Sequence, residues 1–250
     1  KKIRYFGTGT QKLEQEINKI FPNASTIRMD IDTVTKKNSH EEILNKFKND
    51  NIDILIGTQM VVKGHHFPKV TLVGVIAADS SLNIDDYRAN ERTFQILTQV
   101  AGRAGRENLK GNVIIQTYNP DNFSIICAQE QNYNRFYETE IELRKQLNYP
   151  PFCDIILIGF NSLDEKEIVK VSTDVYEYLK TNLNSELFNV LKPMPSPIDK
   201  IQGRYRWRII IKGSMTIEAN EIINNCLKEI YNKNYKNTRI TVDINPNNMS

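Results

Sequence analysis

Histidine and cysteine are scarce: the 250-residue chain has three of each. Cys127, Cys153 and Cys226 stand far apart, and no Cys-x-x-Cys occurs. That spacing excludes a disulfide framework and a cysteine-based zinc site within these residues, and it points to a reducing, cytoplasmic compartment. His40 and the pair His65-His66 have no partners at metal-ligand spacing. Long apolar runs are missing too. No stretch approaches the roughly 20 residues needed to span a membrane, so no membrane partner is expected. The opening "KKIRYFGTGT" has neither an initiator Met nor a signal peptide and starts on a strand-like pattern, as a segment cut from a longer protein would. Charge of one sign is not in excess either. Lys and Arg number 33 and Asp and Glu 30, a formal net charge of +3, which suits a nucleic-acid partner and many others besides.

What is present is an ordinary globular composition, 40% hydrophobic and 25% charged, with room for two domains. The first half alternates strand and helix patterns. "IRYFG" (3–7) reads as a strand, and in "TQKLEQEINKIF" Leu13, Ile17, Ile20 and Phe21 recur at helical spacing. "IRMD" is extended, and "SHEEILNKFK" opens with Ser39 and Glu42 as a capping box. "IDILIG" (52–57) and "VTLVGVIAAD" (70–79) are nearly continuous apolar runs, the pattern of strands buried on both faces. A helix from about Asp86 to Arg106 and a strand at 111–118 complete a parallel α/β series. The second half changes character. A helical segment stops at Pro150-Pro151, and the pattern then runs strand (154–162), helix (165–183), strand (189–197), strand (205–212), helix (216–233), strand (238–244). That order is βαββαβ, the ferredoxin-like plan. The expected division is an α/β domain at 1–120, a connecting helical segment at 121–150 and a smaller α+β domain at 151–250.

The most informative stretch is "QVAGRAGR". On a helix Gln99, Arg103 and Arg106 share one narrow face, although like charges at that spacing repel by roughly 0.2–0.5 kcal/mol. Ala101, Gly102, Ala104 and Gly105 let another surface approach the backbone. Two converging guanidiniums suit the equatorial oxygens of a transferring γ-phosphate. The competing explanation is a solvated pair of cations favoured by a helix C-terminus. Two further places suit phosphate. A buried strand ends at Gly57-Thr58-Gln59 ahead of a loop with Lys63-Gly64, where ligands of open parallel sheets sit. In "FGTGTQ" a strand meets a helix through Gly7, Thr8, Gly9 and Thr10, which is either an anion site or an ordinary cap with Thr8 and Gln11.

In the second half, "GRYRWRIIIKG" alternates Arg204, Arg206, Arg208 and Lys212 with Tyr205, Trp207, Ile209 and Ile211. One face of such a strand is cationic and the other belongs in a core. The cationic row suits DNA phosphates or an acidic peptide; a solvated strand face is the alternative.

"IGTQMVVKGHHFP" followed by "QVAGRAGR" resembles motifs V and VI of superfamily 2 helicases. Together with "FGTGTQ", "GRYRW" and the terminal "VDINP", the likeness extends along the whole chain to the replication-restart helicase family of primosomal protein N′. The resemblance implies a RecA-like second helicase lobe and a C-terminal domain that binds DNA and partners. It implies an ATP- and Mg²⁺-dependent 3′→5′ DNA helicase that recognises stalled forks and D-loops and starts primosome assembly. By the motif match, Arg103 and Arg106 are the arginine fingers and Gln99 orients near them. Gly57, Thr58, Lys63, Gly64 and Gly102 line the nucleotide side, and Thr8, Gly9, Thr10 and Thr58 meet the DNA backbone. The partners implied are branched and single-stranded DNA, the acidic tail of single-stranded DNA-binding protein, and primosome and helicase-loader proteins. The family's Walker A loop, acidic Mg²⁺ motif and zinc-binding cysteines do not occur in these residues, so the fragment alone is expected to be inactive as an ATPase. Where many motifs V have Arg-Gly-x-Asp, this chain has Lys63-Gly64-His65-His66, and the Asp contact to ribose does not carry over. Gln11 likewise replaces the family's usual Glu. Two other readings fit less of the chain: another superfamily 2 translocase, and a non-catalytic nucleic-acid-binding module.

Overall fold

The structure, a computed structural model, describes residues 9–30, 39–58, 61, 67, 69–102, 111–233 and 235–249. Contacts divide the chain into two compact units, Lys1–Ile84 with Ala89–Phe136, and Asp85–Arg88 with Tyr137–Ser250.

In the first unit, helix α1 (Thr10–Ile20) leads to strand β1 (Thr26–Met29), and helix α2 (Ser39–Asn49) leads to strand β2 (Ile54–Gly57). β1 and β2 pair in parallel from Thr26↔Ile54 to Met29↔Gly57. Their starting ends are fastened by Asp53, whose carboxylate accepts from the Ser25 backbone N–H and hydroxyl, each at 2.8 Å. Those bonds hold its pKa below the usual carboxylate range. Of the expected apolar stripe on α1, Leu13 and Ile17 are half-buried, while Ile20 and Phe21 are exposed.

Strands β3 (Leu72–Val75) and β4 (Asn112–Ile115) form a second parallel pair, Leu72↔Asn112 to Val75↔Ile115. Burial on both faces, expected from the apolar run, is not what this pair has. Leu72, Ile76 and Ile114 are 57%, 48% and 61% exposed, whereas Val75 and Ile115 pack on a core. An unbroken apolar run cannot by itself distinguish one covered face from two. Among the described residues the parallel strands stand as two pairs, not one continuous sheet. A single-turn helix α3 (Asp79–Leu82) precedes helix α4, which covers Ala89–Ala101 and so starts three residues after Asp86. The carboxylate of Asp79 is buried and accepts from the Thr117 hydroxyl at 3.0 Å and from the Tyr118 N–H at 2.9 Å, joining the loops after β3 and β4. α4 buries Ala89, Thr93, Phe94, Leu97 and Val100, a single stripe at helical spacing. It packs against helix α5 (Phe123–Gln129), where Phe94 stacks on Phe136 at 4.2 Å and Phe123 on Phe136 at 5.6 Å. The stretch expected as a separate connector, 121–150, is thus divided. Its first part completes this core, and helix α6 (Tyr133–Gln146) passes into the second unit after Phe136.

The second unit runs through strand β5 (Asp154–Ser162), helix α7 (Glu165–Asn182), strands β6 (Phe188–Val190), β7 (Met194–Ile201) and β8 (Arg204–Gly213), helix α8 (Ile217–Asn232) and strand β9 (Thr238–Ile244). The antiparallel sheet has the order β6-β8-β5-β9, with β7 also paired to β8. Asp164 caps α7 by accepting from the N–H groups of Lys166 and Glu167, and Thr216 caps α8 by accepting from Ala219. α7 buries Ile168, Val171, Val175 and Leu179, and α8 buries Ala219, Ile223, Cys226 and Ile230. Both stripes pack on Ile156, Ile158 and Phe160 of β5 and Ile209 and Ile211 of β8. The single strand expected at 189–197 is instead broken into β6 and β7. Pro193, Pro195 and Pro197 have no N–H for a ladder, and the register with β8 shifts between Pro195 and Lys200.

Candidate nucleotide and nucleic-acid sites

The strand ends of the first unit bring together two of the loops singled out in the sequence. Because β1 and β2 are parallel and in register, their carboxyl ends lie side by side at Met29 and Gly57. Gly57 has no room for a side chain: a Cβ there would meet the Met29 carbonyl oxygen at 2.7 Å and collide with Val61 Cγ2. The glycine is therefore needed for close packing of the strand end, and Thr58 follows it on the surface. The start of α1 is fastened to the same edge. The Thr10 hydroxyl donates to Asp30, directly after Met29, and Asp30 also faces Arg28 Nε at 3.2 Å. Gly9 is the N-cap of α1 and is exposed, and among the described residues no side chain caps the helix. Gly9, Thr10, Gly57 and Thr58 thus cluster around one sheet edge, with a helix N-terminus that no described side chain caps and whose N–H groups suit an anion.

Gln99 is exposed on α4, away from the stripe that fills the core, and Gly102 continues the last turn by donating its N–H to Thr98 O at 3.1 Å. Thr8, Lys63, Gly64, His65, His66, Arg103 and Arg106 lie outside the described residues. No group of three or more His, Cys, Asp or Glu able to hold a metal ion occurs among the described residues.

In the second unit the cationic strand divides. Register places Arg206 opposite Asn161 and Arg208 opposite Gly159, on the sheet face away from α7 and α8. Arg208 is not available to a ligand, contrary to expectation. It is 3% exposed, paired through Nη2 with Asp85, and its Nη1 donates to the Met249 carbonyl. Lys212 is also committed: its ammonium donates to Leu147 O at 3.1 Å and sits 3.4 Å from the centre of the Tyr149 ring. Both were expected to bind DNA or a partner. Lys212 is taken by the segment that follows α6, at Leu147 and Tyr149. Arg208 is taken by two segments that the alternation in "RYRWRIIIK" cannot reveal, the tetrapeptide Asp85–Arg88 and the chain end at 245–249. The two are joined to each other, since Arg88 donates to Pro246 O at 2.6 Å and to Asp86 at 3.2 Å, and the Met249 N–H donates to Asp86 at 3.4 Å. Asp154 adds an anchor by accepting from Asn245 Nδ2 and from the Met215 N–H, both at 2.8 Å, and these bonds lower its pKa.

Arg204 and Arg206 stay on the open part of the face. Arg204 Nε donates to Asn161 Oδ1, and Arg206 Nη1 makes a long 3.4 Å contact to Ile198 O. Tyr205 and Trp207 turn to the other face and pack on its core, as the alternation requires. Sequence reasoning missed Asn161 and Arg239, which register places beside Arg206 across β5 and β9. The alternation of "TRITVDI" puts Arg239 on one face with Thr241 and Asp243, but only the strand order makes it a neighbour of β5.

Comparison with known proteins fits this division. Residues 1–108 match the helicase conserved C-terminal domain family, and residues 145–247 match the primosomal protein N C-terminal domain. The class is a helicase C-terminal domain joined to a primosomal C-terminal domain. The chain is 40% identical over 245 residues to replication restart protein PriA of Bacillus subtilis, covering 98% of this chain and 30% of that protein. It is 42% identical over 210 residues to replication restart protein PriA of Synechocystis (84% of this chain, 25% of that protein). To the protein of that name from Chlamydia trachomatis it is 39% identical over 244 residues, 98% of this chain and 32% of the other. The chain belongs to the PriA family and corresponds to its C-terminal portion; it spans about a third or less of the length of these relatives.

Proposed function

We propose that the chain is the C-terminal working part of an ATP-dependent 3′→5′ DNA helicase that acts at stalled forks and D-loops and starts primosome assembly. The observation that carries this is the clustering of Gly9, Thr10, Gly57 and Thr58 at one parallel strand edge, in the half that matches a helicase C-terminal domain. The parallel pairs support a RecA-like lobe at 1–120. The antiparallel order β6-β8-β5-β9 under two helices supports a ferredoxin-like domain at 151–250.

The residues at the strand edge fit a phosphate, through backbone N–H groups and the Thr58 hydroxyl. Gln99 orients near it, Arg103 and Arg106 meet charge developing on the γ-phosphate, and Lys63-Gly64 and Gly102 complete the cradle. When bound, ATP with Mg²⁺ supplies the phosphoanhydride bond whose hydrolysis drives the motor. The rest of the nucleotide site, and the zinc cluster, belong to the remainder of the parent protein. Partners in this account are branched and single-stranded DNA, the acidic tail of single-stranded DNA-binding protein and the loader proteins, in the cytoplasm.

In the full-length parent, Arg103→Ala or Arg106→Ala should lower DNA-dependent ATPase turnover by about 10³–10⁵ while nucleotide binding largely persists. Steady-state ATPase assays and equilibrium nucleotide titrations read the two quantities separately. Turnover within about threefold of wild type in either variant would contradict the assignment.

A further inference from the structure

We infer that the outer edge of β9 pairs with the same edge of a second copy of this chain. Thr238–Ile244 of the two copies join antiparallel about a two-fold axis at Thr241, with Arg239 of each opposite Asp243 of the other. The inference goes beyond the helicase reading and does not depend on it. β9 ends the sheet order β6-β8-β5-β9, and among the described residues no strand pairs with its outer side. The opposite border of the sheet is blunted. There β6 and β7 share β8, Pro193, Pro195 and Pro197 have no N–H to offer, and the register shifts. "TRITVDI" has none of these devices. It contains no proline or glycine, it is rich in β-branched residues, and its register with β5 is continuous from Ser162↔Thr238 to Ile156↔Ile244. Arg239, Thr241, Val242, Asp243 and Ile244 are exposed.

The backbone decides which residues can meet. The Asn245 N–H donates to Ile155 O at 2.7 Å, so Asp243, Thr241 and Arg239 also turn their N–H and C=O groups toward β5. Thr238, Ile240, Val242 and Ile244 turn theirs outward. Two copies of β9 form a ladder only where outward residues face outward residues. Centred on Thr241, the ladder pairs Thr238 with Ile244 and Ile240 with Val242, and it sets Arg239 against Asp243 on each side of the axis. A slide by two residues one way puts Arg239 against Thr241 and Asp243 against Asn237. The opposite slide puts Asp243 against Thr241 and Arg239 against Asn245. The centred register alone joins opposite charges, which stabilise when directly opposed across strands. Within one copy the two charges lie about 13 Å apart along the strand and cannot neutralise each other. Among the described residues neither side chain has a hydrogen-bonding or charged partner. Thr241 adds little at the axis, because its hydroxyl leans over its own sheet toward Gly159 O at 3.4 Å. A two-fold contact of this kind is the commonest symmetry of self-association. Seven residues a side are fewer than the roughly 20–30 of a stable interface, so the pairing is weak and concentration-dependent.

The test is sedimentation velocity of the 250-residue chain from micromolar to submillimolar concentration. The chain should dimerise reversibly in the upper part of that range. Arg239→Asp opposes Asp to Asp, and Asp243→Arg opposes Arg to Arg; each should weaken self-association by about tenfold with an unchanged melting temperature. Mixed together, those two variants should associate with each other, and the double variant should recover wild-type dimerisation. Register is read by oxidation, since Cys127, Cys153 and Cys226 are buried. Thr241→Cys should form a disulfide-linked dimer, because residues opposed in a non-hydrogen-bonded pair have Cα atoms about 4.5 Å apart. Arg239→Cys should not cross-link to itself. A chain that stays monomeric throughout, a dimer indifferent to the charge swaps, or equal cross-linking of both cysteine variants would each overturn the inference. None of these results touches the ATPase of the Arg103 and Arg106 variants, on which the helicase reading stands.

Discussion

Strand β8 has two ends with the same sequence character and opposite fates. At Arg208 and Lys212 the cations are folded into the protein, held by Asp85, Met249, Leu147 and Tyr149. At Arg204 and Arg206 they remain at the surface, beside Asn161 and Arg239. Nothing local separates the two ends, since both alternate cations with core residues. The difference comes from distant segments. Arg208 receives a carbonyl from 41 residues away and a carboxylate from 123 residues away, and Lys212 a carbonyl from 65 residues away, whereas among the described residues no carboxylate reaches Arg204 or Arg206. A cationic stripe in a sequence is thus an inventory of charge, and tertiary neighbours decide which members serve the fold.

Several substitutions break or sharpen that contrast. The largest effect should come from removing the floor both ends share. Phe160 is 2% exposed on β5 beneath the helices, and Phe160→Ala should destabilise the second unit by about 3–5 kcal/mol in urea titration. Both ends of β8 would suffer together. Arg208→Ala should act on one end. It removes two hydrogen bonds and buried stem packing, but Asp85 is 71% exposed and is not stranded without solvent, so a loss of about 1–3 kcal/mol is expected. Hydrogen exchange should then rise in Asp85–Arg88 and in 245–249, and not near 204–206.

Acid should act on the same end through Asp154. Its folded pKa is lowered, below an ordinary value of 3.8, by the Asn245 side chain and the Met215 N–H. A carboxylate with a depressed folded pKa stabilises above its unfolded value and loses that contribution as pH falls through the folded one. Asp154→Asn should therefore flatten the loss of melting temperature below about pH 4, and leave the neutral-to-alkaline side parallel to wild type. An unchanged acid limb would remove Asp154 from the anchoring of the chain end. Arg204→Gln with Arg206→Gln should change stability least, by under about 0.5 kcal/mol.

The second unit's elements were largely legible because α7 and α8 carry long unbroken stripes with capping residues, and β5 and β8 alternate cleanly. The exception, the gap between β6 and β7 and the register shift after Pro195, was visible in principle, since Pro193, Pro195 and Pro197 have no N–H to donate to a ladder. The first unit was harder. The run at 70–79 reveals that residues are apolar but not how many faces are covered, and the short segment "DDYR" looks like a helix start although its side chains are used in the second unit. At the candidate sites, residue types were legible and partners were not. The fastening of Thr10 to Asp30, and the neighbours Asn161 and Arg239, depend on which strands lie side by side.

The most direct measurement pairs a thermal melt with a salt-dependent DNA titration on two single variants of the same strand, Arg208→Gln and Arg206→Gln. The account predicts a crossover. Arg208→Gln should lower the melting temperature of the second unit by about 2–12 °C and leave the salt slope of DNA binding unchanged. Arg206→Gln should keep the melting temperature and make the single-strand slope shallower by about 0.7. Two variants that shift the same quantity by similar amounts would contradict the division of the strand into an end that holds the fold and an end proposed to hold DNA.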